Sequence, residues 1–292
     1  MKIPDRLIPL LEYGLITEVV RPLMSGKEAA VYIVATPEAY CVAKVYKDAE
    51  HRSFRQRAAY TEGRQVRNSR QRRAMEKGSR YGKEQNENAW QEAEVDALYK
   101  LSAAGVRVPK PFSFHDGVLL MELVMDPDGQ PAPRLCDCRF TPAQAWNTYH
   151  FVIKQVVGML CAGMIHGDLS EYNILLGEDG PVIIDLPQAV DAANNQSART
   201  LLMRDIDNLT AFLSKFAPDI ADTRFGPEIW SLYERAQLYP DSPLTGRWVP
   251  PSRRADPRGV LREVEAVARE ARPPVARRSG GPKGPPKGPP RR

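Results

Sequence analysis

Residues 165–176 read Ile-His-Gly-Asp-Leu-Ser-Glu-Tyr-Asn-Ile-Leu-Leu, and residues 182–185, after a short polar turn, read Val-Ile-Ile-Asp. The apolar runs predict a strand, a polar loop, a strand, a turn and a further strand. In the loop, Asp168 can accept the proton of an attacking hydroxyl, and Asn173 with Asp185 can hold Mg²⁺ against nucleotide phosphates. A buried hairpin with two solvated acids would leave Asn173 unexplained, so this spacing predicts a phosphotransferase site.

Three strands are predicted upstream of this site, over residues 19–24, 29–36 and 39–46. Residues 42–45 in the third read Val-Ala-Lys-Val, close to the Val-Ala-Ile-Lys pattern whose Lys pairs with nucleotide phosphates and with a Glu on a helix. A strand Lys between apolar neighbours more often faces solvent. The acids downstream reverse that expectation, and Lys44 is predicted to bind ATP.

The turn between the first two strands reads Ser-Gly-Lys-Glu at residues 25–28. A Gly here lets backbone N–H groups approach phosphate oxygens. The turn is not a P-loop, because Glu28 stands where Ser or Thr is needed. It also lacks the three glycines of ordinary protein kinases, so by itself it predicts only a hairpin turn.

A helix is predicted from Trp90 to Ala103, and it carries two candidate partners for Lys44, namely Glu92 and Glu94. Residues 48–88 before it show no helix or strand period and are rich in Arg. They are predicted to form a basic insert that is either functional or disordered.

An opening helix is predicted in residues 4–20, and two strands at 112–114 and 118–124 complete a small β-rich lobe. Residues 125–129 are rich in turn formers and read as a linker to a second lobe. Helices are predicted there at 141–162, 197–216 and 228–239.

Asp185 is followed by Leu-Pro-Gln and soon by a helix, so the long activation segment of typical protein kinases is absent. The predicted fold class is α+β, a two-lobed protein-kinase-like fold with a β-rich N-lobe and a mainly helical C-lobe. The predicted parts are an N-lobe (1–124), a C-lobe (125–240), a proline-rich connection with a C-terminal helix (241–272) and a flexible basic Pro/Gly tail (273–292).

The net charge of +5 is concentrated in two segments. Residues 51–87 hold eleven Lys/Arg against four Glu, and residues 273–292 hold six Lys/Arg and no acid. Two such arms suggest contact with a polyanion such as RNA or a ribosomal particle. The alternative is that they only solubilise the chain or stay disordered.

A cytoplasmic location is expected. No run of about 18 apolar residues is present, so no membrane partner is expected, and the first residues lack the apolar core of a signal peptide. The four cysteines form no Cys-x-x-Cys pair, which favours free thiols in a reducing compartment over a zinc site.

Together these pieces resemble the RIO-type atypical serine/threonine protein kinases, in the branch whose loop reads Ser-Gly-Lys-Glu-Ala, and a bacterial member is expected. Small-molecule kinases rarely share the Ser-Glu-Tyr of residues 170–172. The matching pieces are residues 25–29, 42–47, 90–98, 166–175 and 184–185.

The resemblance implies a role for each matched catalytic position. Asp168 would be the catalytic base. Asn173 and Asp185 would bind ATP through Mg²⁺, or through Mn²⁺ in its place. In related eukaryotic proteins the Asp at position 185 is itself transiently phosphorylated, which adds Asp185 to the catalytic residues and implies an acyl phosphate.

The resemblance also implies the remaining ATP contacts. Lys44 would contact the phosphates, with Glu94 rather than Glu92 as its ion-pair partner. Further contacts would come from Ser25 and Lys27 in the phosphate loop and from backbone groups of Glu122 and Val124 at the hinge. Pro187 stands where family members often have Ser, which would stiffen the loop after Asp185.

Three functions follow from these patterns. The first is an Mg²⁺- and ATP-dependent serine/threonine protein kinase that autophosphorylates. The second is an RNA- or ribosome-associated ATPase switch that works through an aspartyl-phosphate, and the two are compatible in one molecule. The third is a small-molecule kinase resembling the aminoglycoside phosphotransferases, which share the His-Gly-Asp and Ile-Ile-Asp pieces. Residues 170–172 argue against it.

Overall fold

The computed structural model describes residues 3–26, 28–47 and 80–250, with the backbone alone for residues 80–90. Lys27, most of the predicted basic insert, the predicted C-terminal helix and the basic tail therefore lie outside the described residues. The described residues up to Trp248 belong to one compact unit. No helix in the described part of the chain is both long and apolar enough to cross a bilayer.

Five antiparallel strands form the main sheet, in the order β1-β2-β3-β5-β4. Each bound lies within two residues of the predicted one, because β-branched and aromatic residues alternate there. β3 lies between β2 and β5, so Lys44 is paired with Val31 on one side and Leu119 on the other. The strands are β1 (Glu18–Ser25), β2 (Ala29–Ala35), β3 (Tyr40–Tyr46), β4 (Pro111–His115) and β5 (Val118–Glu122).

The opening helix predicted over residues 4–20 is wrong in its length. The structure has a 3-10 turn at Asp5–Leu7 and then a short helix, α1 (Ile8–Glu12). Gly14 has a φ of +70°, a left-handed conformation that interrupts the helix, and the β-branched residues after it favour β1. This segment still buries apolar side chains against the sheet, in a cluster of Leu7, Leu10, Ile16, Val34, Cys41, Ala43, Val45, Val118 and Leu120.

Helix α2 (Arg80–Ala103) begins ten residues before its predicted start at Trp90. Residues 80–88, which were predicted to belong to the basic insert, are therefore part of this helix. The sequence at 83–89, Lys-Glu-Gln-Asn-Glu-Asn-Ala, consists mostly of residue types with high helix propensity, so it needs no apolar period to be helical. Farther along α2, Val95, Leu98 and Leu101 are buried in the larger hydrophobic core.

The second lobe is built on three helices, α3 (Pro142–Cys161), α4 (Ala198–Leu213) and α5 (Phe225–Glu234), which pack against one another. Thr141 caps α3 through a reciprocal capping box with Gln144. α5 starts earlier than the predicted 228–239. It also ends earlier, because Ala236 takes a left-handed φ of 52° just beyond its last residue.

Two short strand pairs flank the catalytic loop, residues 166–173. β7 (Ile174–Gly177) and β8 (Gly180–Ile183) form a hairpin, and β6 (Met164–Ile165) pairs with β9 (Val190–Asp191). Only twelve residues separate Asp185 from the first residue of α4, Ala198, so the expected lack of a long activation segment is confirmed. The β-rich sheet followed by a helical part is the predicted two-lobed, protein-kinase-like fold.

Candidate active site

Lys44 and Glu94 form a buried ion pair between β3 and α2. The Lys44 Nζ contacts Glu94 Oε1, and the two side chains are only 14% and 6% exposed. The Tyr46 hydroxyl donates a hydrogen bond of 2.7 Å to the other carboxylate oxygen, Oε2. Glu92, the other candidate from the sequence, is exposed. The structure therefore places Glu94, and not Glu92, against Lys44.

The Lys44 ammonium is held in its charged form. Burial by itself would lower the pKa of Lys44, but the carboxylates of Glu94 and Asp185 outweigh it and raise the pKa above its ordinary value. A fixed positive charge that points toward a second carboxylate suits a group that must bind nucleotide phosphates.

Asp185 lies two residues after the end of β8, and its Oδ1 lies 3.8 Å from the Lys44 Nζ. Its side chain is 51% exposed, and its φ is 66°, a left-handed conformation that Asp tolerates better than most residue types. The preceding residue, Ile184, donates its N–H to the Asn173 carbonyl at 3.0 Å. This backbone hydrogen bond ties the two predicted metal ligands to each other.

Asn173 and Asp168 are joined inside the catalytic loop. The Asn173 amide nitrogen donates to the Asp168 carbonyl at 2.9 Å, which leaves the Asn173 amide oxygen for a cation. The Asp168 side chain is exposed, as a group that must meet a substrate hydroxyl should be. Its N–H donates to His166 Nδ1, so His166 Nε2 carries a proton and donates to the Ile184 carbonyl at 3.0 Å.

The donor set fits a nucleotide-bound Mg²⁺. Among the described residues, no group of three or more His, Cys, Asp or Glu side chains could hold a metal. Mg²⁺ usually takes one or two carboxylates and completes its shell with waters and substrate phosphates. Asp185 and the Asn173 amide oxygen would supply the protein's share of such a shell.

Asp205 on α4 binds the backbone of the catalytic loop. The sequence predictions did not include this residue. Its two carboxylate oxygens accept the N–H groups of Gly167 and Leu169 at 2.8 and 2.9 Å. Arg204 donates to the Gly167 carbonyl, and Asn208 donates to the Leu169 carbonyl at 3.0 Å. Three side chains of one helix therefore fix the backbone on both sides of Asp168.

Burial raises the pKa of the Asp205 carboxyl, and the hydrogen bonds from the loop together with nearby positive charge offset part of that rise. The sequence does carry a signal for this residue. Asp205 stands on the apolar face of its helix, between Leu202, Ile206 and Leu209, where a charged residue is buried only if it has partners.

Glycine is the only residue type that fits at position 167. Its φ is +79°, and a Cβ added there would lie 2.7 Å from the Gln188 carbonyl oxygen. The close approach of Gln188 brings the segment after Asp185 against the catalytic loop. The Gly of the His-Gly-Asp piece is thus explained by packing.

The phosphate loop lies at the end of β1, where the sequence places it. The Lys47 Nζ, which was not predicted to take part, donates to the Gly26 carbonyl at 2.7 Å and to the Ser25 hydroxyl at 3.2 Å. Lys47 therefore braces this turn from the end of β3. Lys27, the other predicted loop residue, lies outside the described residues.

The Glu122 side chain forms contacts at the hinge that the sequence did not predict. Its carboxylate accepts two hydrogen bonds from Arg107, at 2.7 and 2.8 Å, and one from the Lys110 N–H at 3.0 Å. Burial would raise the pKa of the Glu122 carboxyl, but these hydrogen bonds and charges lower it below its ordinary value. The Glu122 N–H donates to the Lys110 carbonyl, and the Val124 carbonyl accepts from the Ala132 N–H.

Arg107 connects this hinge to the helical lobe. Its N–H donates to the Gln155 side chain on α3 at 2.7 Å, and its carbonyl accepts the N–H of Ile183 on β8 at 2.9 Å. Its guanidinium grips Glu122 at the end of β5. Arg107 was also absent from the predicted site residues, because no motif marks it.

A sequence model of the RIO domain matches residues 30–225. Similar curated proteins are the RIO-type serine/threonine-protein kinase Rio1 of Haloferax volcanii (34% identical; 68% of this chain and 64% of that protein) and that of Methanocaldococcus jannaschii (34%; 72% and 67%). The serine/threonine-protein kinase rio1 of Schizosaccharomyces pombe is 31% identical over 72% of this chain and 41% of its own length. The chain thus spans from about two fifths to two thirds of the length of these relatives.

A solved structure, titled the Rio2 kinase-ADP/Mg2+-phosphoaspartate complex from Chaetomium thermophilum, matches with a TM-score of 0.50 and 19% identity over 79% of this chain and 74% of that chain. At this identity the match supports the fold. The expected bacterial source stays a prediction. The match to the RIO domain covers most of the chain and includes Lys44, Asp168, Asn173 and Asp185. This chain belongs to the RIO domain family.

Proposed function

We propose that this protein is an Mg²⁺-dependent ATP phosphotransferase that acts as a serine/threonine protein kinase and phosphorylates itself. The observation that carries the proposal is the convergence of Lys44, Glu94 and Asp185 beside the loop that holds Asp168 and Asn173. The named relatives are serine/threonine kinases, which supports protein over small-molecule substrates. We place the protein in the cytoplasm, with its basic segments available to RNA or a ribosomal particle.

In the proposed reaction, the protein aligns the reactants and neutralises charge. Lys44, held by Glu94, binds the phosphates of ATP, and Asp168 takes the proton of the attacking serine hydroxyl. The oxygen of that hydroxyl forms a bond to the γ-phosphorus while the bond to the bridging oxygen of ADP breaks. A bound Mg²⁺, or Mn²⁺ in its place, would neutralise the phosphate oxygens and be held by Asn173 and Asp185.

A second function, an ATPase switch, is favoured by the exposure of Asp185. Its carboxylate is half-exposed and next to Lys44, so one of its oxygens could attack the γ-phosphorus, with ADP leaving, to give an aspartyl-phosphate. Water would then hydrolyse the acyl phosphate. The structurally similar Rio2 kinase is described as a phosphoaspartate complex, which supports considering this route here.

The test is incubation with γ-labelled ATP and Mg²⁺, followed by hydroxylamine. We expect label on serine that resists hydroxylamine and falls about 10³-fold in Asp168→Asn and Asp185→Asn, as loss of charge stabilisation in a transition state predicts. Asp219→Asn, the same change at an exposed position in a surface 3-10 helix, is the matched control.

Label that hydroxylamine releases would instead identify an acyl phosphate and favour the switch. Wild-type protein that forms neither labelled protein nor ADP would contradict both functions.

A further inference from the structure

Arg134 lies in the linker between β5 and α3, and its backbone pairs with the β7–β8 hairpin. It forms an isolated antiparallel bridge with Leu175, and its neighbour Pro133 accepts the Leu176 N–H at 2.9 Å. Leu175 comes two residues after the predicted metal ligand Asn173. The Arg134 backbone therefore lies beside β7, the strand that follows Asn173.

The Arg134 side chain extends from β7 to β1 in the β-rich lobe. Its Nη2 lies 2.8 Å from the Sδ of Met24 on β1. Met24 directly precedes Ser25 and Gly26, the described part of the phosphate loop. The guanidinium thus spans from the strand that follows Asn173 to the strand that leads into the phosphate loop.

The Arg134 guanidinium forms no ion pair with a carboxylate of any described residue. In the described part of the chain, the ion pairs formed by Lys44 and Arg107 have no counterpart at Arg134. A thioether is only a weak acceptor, whereas a guanidinium offers five N–H donors in a planar fork. Arg107, by contrast, has its fork filled by the Glu122 carboxylate. A half-buried Arg whose one side-chain contact is with a weak acceptor, and which lies between the strand after Asn173 and the strand before Ser25, is suited to a ligand anion.

We propose that Arg134 binds the phosphate chain of the nucleotide, in addition to Lys44. The planar fork matches phosphate oxygens in a bidentate way, which a point charge cannot do. The neighbouring phosphate loop favours this anion over a carboxylate of a protein substrate. This inference rests on the proposed ATP-dependent function.

The test is calorimetric titration of the full-length protein with ATP, ADP and adenosine in the presence of Mg²⁺. We expect Arg134→Ala to weaken ATP and ADP binding at least tenfold and to leave adenosine binding unchanged. Arg134→Lys should recover part of the loss, because it keeps the charge without the fork. Arg139→Ala, which removes an exposed Arg from the same linker, serves as the control.

Equal weakening of adenosine and ATP would mean that Arg134 only shapes the nucleoside pocket, and it would overturn the inference. Unchanged ATP affinity in Arg134→Ala would also overturn it, while wild-type binding of ATP would leave the proposed function intact. A wild-type protein that binds no ATP would contradict the proposed function itself.

Discussion

Asp185 and Asp205 are both tied to the catalytic loop, yet they occupy opposite environments. Asp205 is 1% exposed, and both of its carboxylate oxygens are taken up by loop N–H groups. Asp185 is 51% exposed, and Lys44 lies 3.8 Å away, farther than a direct hydrogen bond. The same side chain therefore serves the fold in one place and stays open to a ligand in the other.

The difference separates carboxylates that stabilise the loop from carboxylates that stay open to ligands. A buried carboxylate with all its partners inside the protein gives the loop one conformation, because any rearrangement would leave charged and polar groups unpaired. An exposed carboxylate gives little stability and keeps its oxygens for a cation or a phosphate. Glu122, whose side chain is 29% exposed and paired with Arg107, lies between these extremes. Removing each charge should therefore give a graded series of stability losses.

The largest loss is expected for Asp205→Asn. The amide offers one acceptor oxygen and an NH₂ group, so one of the two loop N–H groups loses its partner inside the protein. We expect the free energy of unfolding to fall by about 2–3 kcal/mol, in the range for an unsatisfied buried group. Chemical denaturation measures this loss.

Asp185→Asn provides the matched comparison for Asp205→Asn. We expect it to change stability by less than about 0.5 kcal/mol, as for an exposed substitution that keeps its backbone conformation. If both variants were equally destabilised, the assignment of Asp205 to the fold and Asp185 to the chemistry would be wrong.

An intermediate loss is expected for Glu122→Gln. It removes one charge from a bidentate ion pair that is about one third exposed, so solvent screens part of the interaction. We expect a loss of about 1 kcal/mol at neutral pH. Arg107→Gln should produce a similar loss, and the double variant should lose less than the sum. Additive losses would mean that the two side chains contribute separately.

The pH dependence of this ion pair tests the same interaction without a further substitution. The pKa of Glu122 is lowered from its ordinary value of 4.5, so its ionised form is favoured in the folded state. Its stabilising contribution is therefore complete above pH 4.5 and is lost as the pH falls through the lowered pKa. The stability difference between wild type and Glu122→Gln should shrink below about pH 4.5 in acid denaturation series. A difference that grows on acidification would contradict the lowered pKa.

The sequence predicted the parts of the site whose spacing is local. Asp168 and Asn173 lie in the loop before the β7–β8 hairpin and Asp185 lies just after it, so their order along the chain nearly determines their geometry. Lys44 was identifiable because a strand pattern marks it. The sheet strands were placed to within two residues for the same reason, since alternation is a property of short segments.

The residues that sequence reasoning missed act over long separations. Asp205 is 38 residues from Gly167, and Arg107 is 48 residues from Gln155. No local pattern predicts that a helix residue such as Asp205 will bind a distant loop, or that Arg107 will bind a residue of α3. The misplaced start of α2 has another cause, because an amphipathic period is not needed where helix propensity is sufficient.

The left-handed backbone at Asp185 also determines which inherited changes the protein can tolerate there. A φ of 66° suits Asn and Gly best among the possible replacements. In the genetic code, a single base change converts either Asp codon to a codon for Asn or for Gly. A protein that keeps the backbone conformation at position 185 but lacks the carboxylate is therefore one mutational step away.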